Sequence, residues 1–301
     1  MDEPKVSIVI LNWNGKHYLT ACLKSLKNIN YTNFDIMVVD NGSTDGSCQF
    51  LRSNFPDVTV LENEENLGFA EGNNVGIRGA MRTRADYILL LNNDTVVDPL
   101  FLKELIDVAE NDRQIGIVGP KVYFMDEPSR ICFAGGKRKW TTEWQHIGLE
   151  EIDKGQYNEV KETEFIYGCV LLLKREVIEK IGMLDADYFA YVEEIDLNYR
   201  AKQAGYKIVF VPHSKIWHKV GASDAQGRRS SVRIYYITRN NLLFLKNNGS
   251  LADIMKFSIF VLPKWLTKAV LSLVSETDTS RAMFRAFKDF LLGRFGKVRL
   301  E

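Results

Sequence analysis

The chain contains no apolar run close to the roughly 20 residues that a membrane-spanning helix requires. It also has little cysteine: Cys22, Cys48, Cys132 and Cys169 are scattered with no CxxC pair, a usage that fits buried, reduced thiols in a cytosolic protein. Net charge is lacking as well. The 39 basic and 39 acidic residues cancel, so no global field draws the chain to nucleic acid. A P-loop, a GxSxG elbow, a zinc-spaced Cys/His set and a GxGxxG fingerprint are missing, as are internal repeats and low-complexity segments. No basic segment with a cleavage site precedes the first strand-like run, so no signal peptide is expected.

What the 301 residues do carry is an alternation of apolar runs and helical patterns. Residues 5–11 and 34–39 are nearly continuous apolar runs, the pattern of strands covered on both faces, and residues 58–61 and 87–91 are strand-like too. Leu19, Cys22, Leu23 and Leu26 mark one helical stripe, and further helices are expected over residues 48–54, 66–82, 174–181 and 193–204, before a strand at 207–211. Strands alternating with helices in this way predict an α/β fold, a mostly parallel central sheet flanked by helices.

In such sheets ligands sit beyond the carboxyl ends of the strands. Polar clusters fall at those ends: Asn12-Trp13-Asn14-Gly15, Asp40-Asn41-Gly42-Ser43-Thr44-Asp45 and Asn92-Asn93-Asp94. One such ending is an ordinary turn; three converging on one edge read as a site. Residues 126–164, with Gly135-Gly136, Trp140 and Trp144, are expected to be a long excursion across one face of the sheet, a lid or a disordered loop.

Two adjacent carboxylates, Glu193 and Glu194, open a helix behind the aromatic approach Tyr188, Phe189 and Tyr191. Acids favour a helix N-terminus and Asp196 can pair with Arg200 at i,i+4, so neither fact requires a reaction. Helical neighbours point about 100° apart, however, so only one of the two glutamates can aim into a cleft, where drying would keep it basic. His213 and His218 follow the strand at 207–211, and a histidine there facing an aspartate from another strand end suits Mn2+ or Mg2+. Gly221, Ser223, Arg228 and Arg229 then form a basic loop able to close over phosphates.

The ordered set of residues 6–14, 38–46, 67–74 and 91–94, continued by Gly168-Cys169-Val170-Leu171-Leu172, Gly182-Met183-Leu184-Asp185, residues 191–197 and His218, resembles the inverting family-two glycosyltransferases of the GT-A fold. The likeness spans residues 5–241 and is greatest to rhamnosyltransferase-type members, which share the segment from Asp153 to Tyr157 and the late Arg239-Asn240. The resemblance implies an enzyme that moves a sugar from a nucleotide-diphospho-sugar to a glycan or lipid-linked saccharide. L-rhamnose from dTDP-rhamnose is the expected donor group, with UDP-GlcNAc, UDP-galactose, UDP-galactofuranose and other UDP- or GDP-hexoses as alternatives. It implies Glu194 as general base, with Asp94 and His218 on Mn2+ or Mg2+. Asp40 would meet the pyrimidine ring and Asp45 support its loop, and Asn12, Asn14, Asn41, Gly68, Asn73, Asn92 and Asn93 complete the donor side. Glu193, Asp196, Arg200, Tyr191 and His146 are expected to support the acceptor side. The sequence departs from the family pattern at Asn92, where the first acid of a DxD signature is common, at Glu194, where aspartate is commoner, and at Ala186. A sugar nucleotidyltransferase would need a Gly-rich basic signature after the first strand, which residues 12–16 do not supply. A non-catalytic saccharide-binding protein would have no need of Asp94, His218 and Glu194 together.

A catalytic domain is therefore expected over residues 1–245, its nucleotide part about 1–120 and its acceptor part about 121–245. Residues 246–301 form a helical, basic extension. From Leu251 onward nine basic residues face five acidic ones. In residues 255–275, Lys264, Lys268, Ser272 and Ser275 line one narrow stripe while Trp265, Leu266, Val270, Leu273 and Val274 face elsewhere. A second segment alternates Phe284, Phe287 and Leu291 with Arg281, Arg285 and Lys288. Such helices are expected either to lie on an anionic membrane surface, at the inner face of the cell membrane, or to pack on the catalytic domain or on a second copy of the chain.

Overall fold

The computed structural model describes residues 3–220, 231–267 and 278–298. Gly221, Ser223, Arg228 and Arg229, and Lys268, Val270, Ser272, Leu273, Val274 and Ser275 of the tail, lie outside the described residues. The chain runs β1 (Val6–Asn12), α1 (Lys16–Leu26), β2 (Phe34–Asp40), α2 (Ser47–Asn54), β3 (Thr59–Glu62), α3 (Gly68–Arg82), β4 (Tyr87–Asn92), β5 (Thr95–Val97), α4 (Phe101–Asn111) and β6 (Ile115–Phe124). It continues through β7 (Ile131–Phe133), β8 (Gly136–Trp140), β9 (Glu143–His146), β10 (Lys161–Glu162), β11 (Val170–Lys174), α5 (Arg175–Ile181), α6 (Glu193–Gln203), β12 (Lys207–His218), α7 (Ser231–Asn248), α8 (Leu251–Lys256) and α9 (Asp278–Leu291).

A ten-stranded sheet orders its main strands β10-β12-β6-β11-β4-β1-β2-β3. Strands β3, β2, β1, β4, β6 and β12 all point the same way, and β11 is inserted antiparallel between β4 and β6. The near-continuous apolar runs account for this: Ile8, Val9 and Ile10 of β1, and Val38 and Val39 of β2, are fully buried because helices cover both faces. Helix α4 shows the matching stripe, burying Phe101, Leu102, Leu105, Ile106 and Ala109 at helical spacing.

Two stretches differ from expectation. The strand expected at 207–211 runs on to His218, after an irregularity between Val211 and Lys215. Pro212 lies in that break and has no N–H for the ladder, and the pairing with β6 resumes only at Lys215, opposite Lys121. The expected excursion over 126–164 is irregular for most of its length but carries four short strands: β7 pairs with β6, β8 and β9 form a hairpin, and β10 pairs with β12. These strands are two to five residues long, too short to show a period, and β8 and β10 are rich in charge.

Candidate active site

Polar side chains form a lattice of hydrogen bonds between adjacent strand ends. Strand register sets Asn12 beside Asp40 and Leu11 beside Asn92, so the three polar clusters lie side by side. Asn12 Nδ2 donates to Asp40 Oδ2 at 2.9 Å, and Asn93 Nδ2 donates to Asn12 Oδ1 at 2.7 Å. The Asn14 carboxamide oxygen accepts from the Thr44 N–H at 2.8 Å. Asp45 accepts from the N–H of Lys16 at 2.9 Å and from Ser47. Burial works against its charge, but the donors from Ser47 and Lys16 outweigh burial and hold the carboxyl below its ordinary range. Asn41 donates to Asn66 and to the Gly68 carbonyl, each at 3.0 Å, tying this loop to the start of α3. Asn73 bonds the Phe69 carbonyl of its own helix at 2.8 Å, and the backbone N–H of Asn92 donates to Cys169 at 2.9 Å.

Asp94 and His218 meet because β5 begins immediately after Asp94. Its antiparallel pairing with β12 sets Thr95 opposite His218, and the Lys219 N–H donates to the Asp94 carbonyl at 2.9 Å. His218 Nε2 then lies 3.1 Å from Asp94 Oδ1, with the side chains 6% and 2% exposed. The contact lacks hydrogen-bond alignment, and neither Asp94 Oδ1 nor His218 Nδ1 has a hydrogen-bond partner among the described residues. Buried polar atoms left unpaired cost about 1–3 kcal/mol each. A carboxylate oxygen and an imidazole nitrogen facing each other in this way fit a divalent cation such as Mn2+ or Mg2+. Among the described residues no cluster of three or more His, Cys, Asp or Glu groups forms a cage, so water and substrate oxygens would supply the rest of the shell. His213 is exposed; of the two histidines it is His218 that faces Asp94.

The glutamate pair opens α6 behind a backbone that runs left-handed. Phe189, Tyr191 and Val192 have φ of 62°, 68° and 77°, and residues held in such regions cost on the order of 1–3 kcal/mol each. Glu193 is buried and Glu194 half-buried, and the Oε2 atoms of both are enclosed without a hydrogen-bond partner among the described residues. Burial pushes the Glu193 carboxyl well above its ordinary range, helped by the charge of Glu194. Burial raises Glu194 too, while backbone N–H groups at the helix start and the Arg233 charge oppose the rise. Asp196 is occupied structurally, receiving Arg200 Nε at 2.7 Å and Asn248 Nδ2 at 2.7 Å. Arg200 also donates to the carbonyls of Ile181 and Met183. His146 is driven down to about 4, mainly by burial, and packs edge-on to Tyr167 at 4.5 Å between ring centroids.

One wall joins these parts. The Tyr167 ring sits 5.8 Å from that of His218. A Cβ on Gly168 would lie 3.4 Å from the Glu194 carboxyl carbon, and the Cys169 carbonyl takes the Asn92 N–H. His218, Glu194 and the end of β4 therefore lie around a single three-residue segment. Arg233, which the sequence does not single out, places its guanidinium 5.1 Å over the Tyr191 ring, and its charge acts on Glu194, His146 and Tyr167. The only signal for it is a cation close to Tyr235 and Tyr236 on a helix start.

A sheet of this order, with a polar cradle, an acid–imidazole pair and enclosed carboxylates at one edge, defines a glycosyltransferase of the GT-A type. Residues 4–237 match the family described as "Glycosyltransferase like family 2", and the chain belongs to that family. It is 25% identical over 268 residues to N-acetylglucosaminyl-diphospho-decaprenol L-rhamnosyltransferase of Mycobacterium tuberculosis, covering 81% of this chain and 84% of that protein. To dTDP-rhamnosyl transferase RfbF of Shigella flexneri it is 25% identical over 247 residues, covering 80% and 79%. The mannosyltransferase PcManGT from Pyrobaculum calidifontis, solved in complex with GDP-Man and Mn2+, shares the fold with a TM-score of 0.62 at 16% identity, over 98% of this chain and 89% of that one.

Proposed function

We propose that the chain is an inverting transferase that moves L-rhamnose from dTDP-rhamnose to a lipid-linked saccharide or other glycan. The observation that carries the reaction is the shared wall of residues 167–169, which lies close to His218, Glu194 and the end of β4 at once. Glu194 takes the proton of an acceptor hydroxyl. The freed oxygen attacks the anomeric carbon, and the bond to the diphosphate breaks with its electron pair leaving on the diphosphate, on the opposite face. Asp94 and His218 would hold Mn2+ or Mg2+, which supplies positive charge to the departing diphosphate. Arg233 adds a second cation near the base. Asn12, Asn14, Asp40, Asn41, Asp45, Gly68 and Asn93 shape the nucleotide cradle, and Glu193, Tyr191 and His146 wall the acceptor side. The donor sugar rests on the two rhamnosyltransferase relatives.

The acceptor places the enzyme at a bilayer. Among the described residues no helix is long and apolar enough to cross a membrane. Yet α8 and the π-helical turn after it (Phe257–Val261) expose Leu251, Met255, Ile259 and Phe260 by 52–75%. Trp140, 46% exposed, stands 5.9 Å from Phe260, on a hairpin strand that also exposes Lys137 and Lys139. Apolar side chains rimmed by these lysines and by Lys256 and Lys264 complement an anionic lipid surface. Elsewhere the extension packs on α7: Phe257, Trp265 and Phe287 cluster with Leu242 and Leu245, and Tyr235 of α7 donates to Asp289 of α9.

A thermal-shift screen of dTDP-, UDP- and GDP-sugars with Mn2+ tests the donor. A preferential rise with dTDP-rhamnose is expected; a larger rise with a UDP- or GDP-hexose replaces the donor and keeps the reaction class.

A further inference from the structure

The path between the 3-10 turn Ala186–Tyr188 and α6 is unfavourable on local grounds. Of its left-handed residues, two are aromatic and Val192 is β-branched, side chains ill suited to positive φ. Such a path persists only where surrounding contacts impose it. Those contacts come from two neighbouring residues of α7. Asn240 Nδ2 lies 2.8, 2.8 and 2.7 Å from the carbonyls of Tyr188, Ala190 and Tyr191, donating its two hydrogens among three acceptors. Arg239 donates to the carbonyls of Asp187 and Tyr188, each at 3.0 Å, and clamps the Asn240 carboxamide oxygen at 2.8 and 3.0 Å. Both side chains are fully buried.

The held segment touches both halves of the site. Val192 is the residue that caps α6, one step before Glu193 and two before Glu194. The Phe189 carbonyl accepts from the N–H groups of Phe69 and Ala70 at 2.6 and 3.1 Å, in the first turn of α3. Gly68 opens that turn at φ +85°, where a Cβ would stand 2.4 Å from the Phe189 ring. A buried guanidinium is a costly way to gain stability alone; its planar fork is well suited to fixing carbonyls in place.

We propose that Arg239 and Asn240 are positioning residues for Glu194: by fixing the carbonyls of residues 187, 188, 190 and 191 they hold the base helix at a set distance from the donor cradle. This rests on Glu194 acting as the base. A base displaced by about 1 Å loses on the order of 100-fold in rate, while donor binding, secured separately through Asn41 and Asn12, is little affected.

The test is a mutant cycle read in single-turnover and steady-state kinetics. Asn240→Ala is expected to lower kcat ~10–100-fold with donor KM changed less than ~3-fold. In the Glu194→Gln background the same change is expected to cost less than ~3-fold, because the group being positioned no longer acts. Asn240→Ser keeps one donor, should fall between alanine and wild type, and carries the cycle if the alanine variant does not fold. A folded variant with kcat within ~3-fold of wild type overturns the proposal, as does a loss that persists in full on Glu194→Gln. If Glu194→Gln itself turns over normally, the base assignment fails first and the positioning role with it, an outcome distinct from the other two.

Discussion

Asn93 donates its side-chain amide to Asn12 at 2.7 Å, joining the ends of β4 and β1. The pair explains why an apolar strand stops in two amides and a carboxylate: Asn93 is a strut, and Asp94 beside it is left free to face His218. Gly15 is packed against this strut, and a Cβ there would stand 2.1 Å from Asn93 Nδ2 and 2.9 Å from Asn12 Oδ1. Gly15→Ala must therefore push Asn93 off Asn12, losing a bond worth about 1 kcal/mol and tilting the cradle. Donor KM is expected to rise ~5-fold or more with folding intact; an unchanged KM would mean the strut plays no part in donor binding.

For the acid–imidazole pair, the expected result is a shifted metal requirement. His218→Ala removes one of the two proposed protein ligands, so the Mn2+ concentration for half-maximal transfer should rise ~10-fold or more, and saturating Mn2+ should restore part of the rate. Asp94→Asn, which removes the charge, should not be rescued. An identical titration for wild type and His218→Ala would remove His218 from the metal site.

Much of this arrangement is legible in the string, for a physical reason. Buried parallel strands must be apolar along their length, so Asn12, Asp40 and Asn92 announce where each one leaves the core, and parallel order brings those ends to one edge. The meeting of Asp94 with His218 is less legible, since it depends on a three-residue strand and on a break at Pro212 that no periodicity reveals. The left-handed run at Phe189, Tyr191 and Val192 is not legible at all. Nothing in those side chains asks for positive φ; the cause lies some 50 residues later, in Arg239 and Asn240. Arg233 is hidden for the same reason, since only the packing of α7 brings its charge near Glu194.

The buried glutamates make a pH-dependent prediction about stability. A carboxyl whose folded value is raised contributes stability that is fully present below its ordinary value of 4.5 and is lost as pH rises through the folded value. Glu193, raised by burial and then by Glu194, should therefore weaken the fold increasingly above that point. Glu193→Gln removes the penalty, so the variant should melt above wild type by about 3 °C or more at pH 8 and by little at pH 4.5. Equal melting-temperature differences at both pH values would show that the carboxyl is not held in its neutral form by the fold.

The exposed face of α8 predicts lipid binding that is separable from chemistry. Burying an exposed aromatic side chain contributes about 1.5–3 kcal/mol, so Trp140→Ala with Phe260→Ala should weaken binding to phosphatidylglycerol vesicles by ~10-fold or more. Lys137→Glu with Lys139→Glu should remove most of the salt-sensitive part, since each lysine near an anionic surface contributes about 1 kcal/mol. Neither pair belongs to the glutamates or the acid–imidazole pair, so hydrolysis of the sugar nucleotide in the absence of acceptor should be unaltered. Transfer to a short, water-soluble acceptor should likewise persist, while transfer to a lipid-linked one falls with vesicle affinity. Flotation with neutral and anionic vesicles decides the matter. Wild-type protein that stays off phosphatidylglycerol, or a Trp140/Phe260 variant that floats as well as wild type, would mean that this face has another occupant, and a concentration-dependent mass would then identify it as a second copy of the chain.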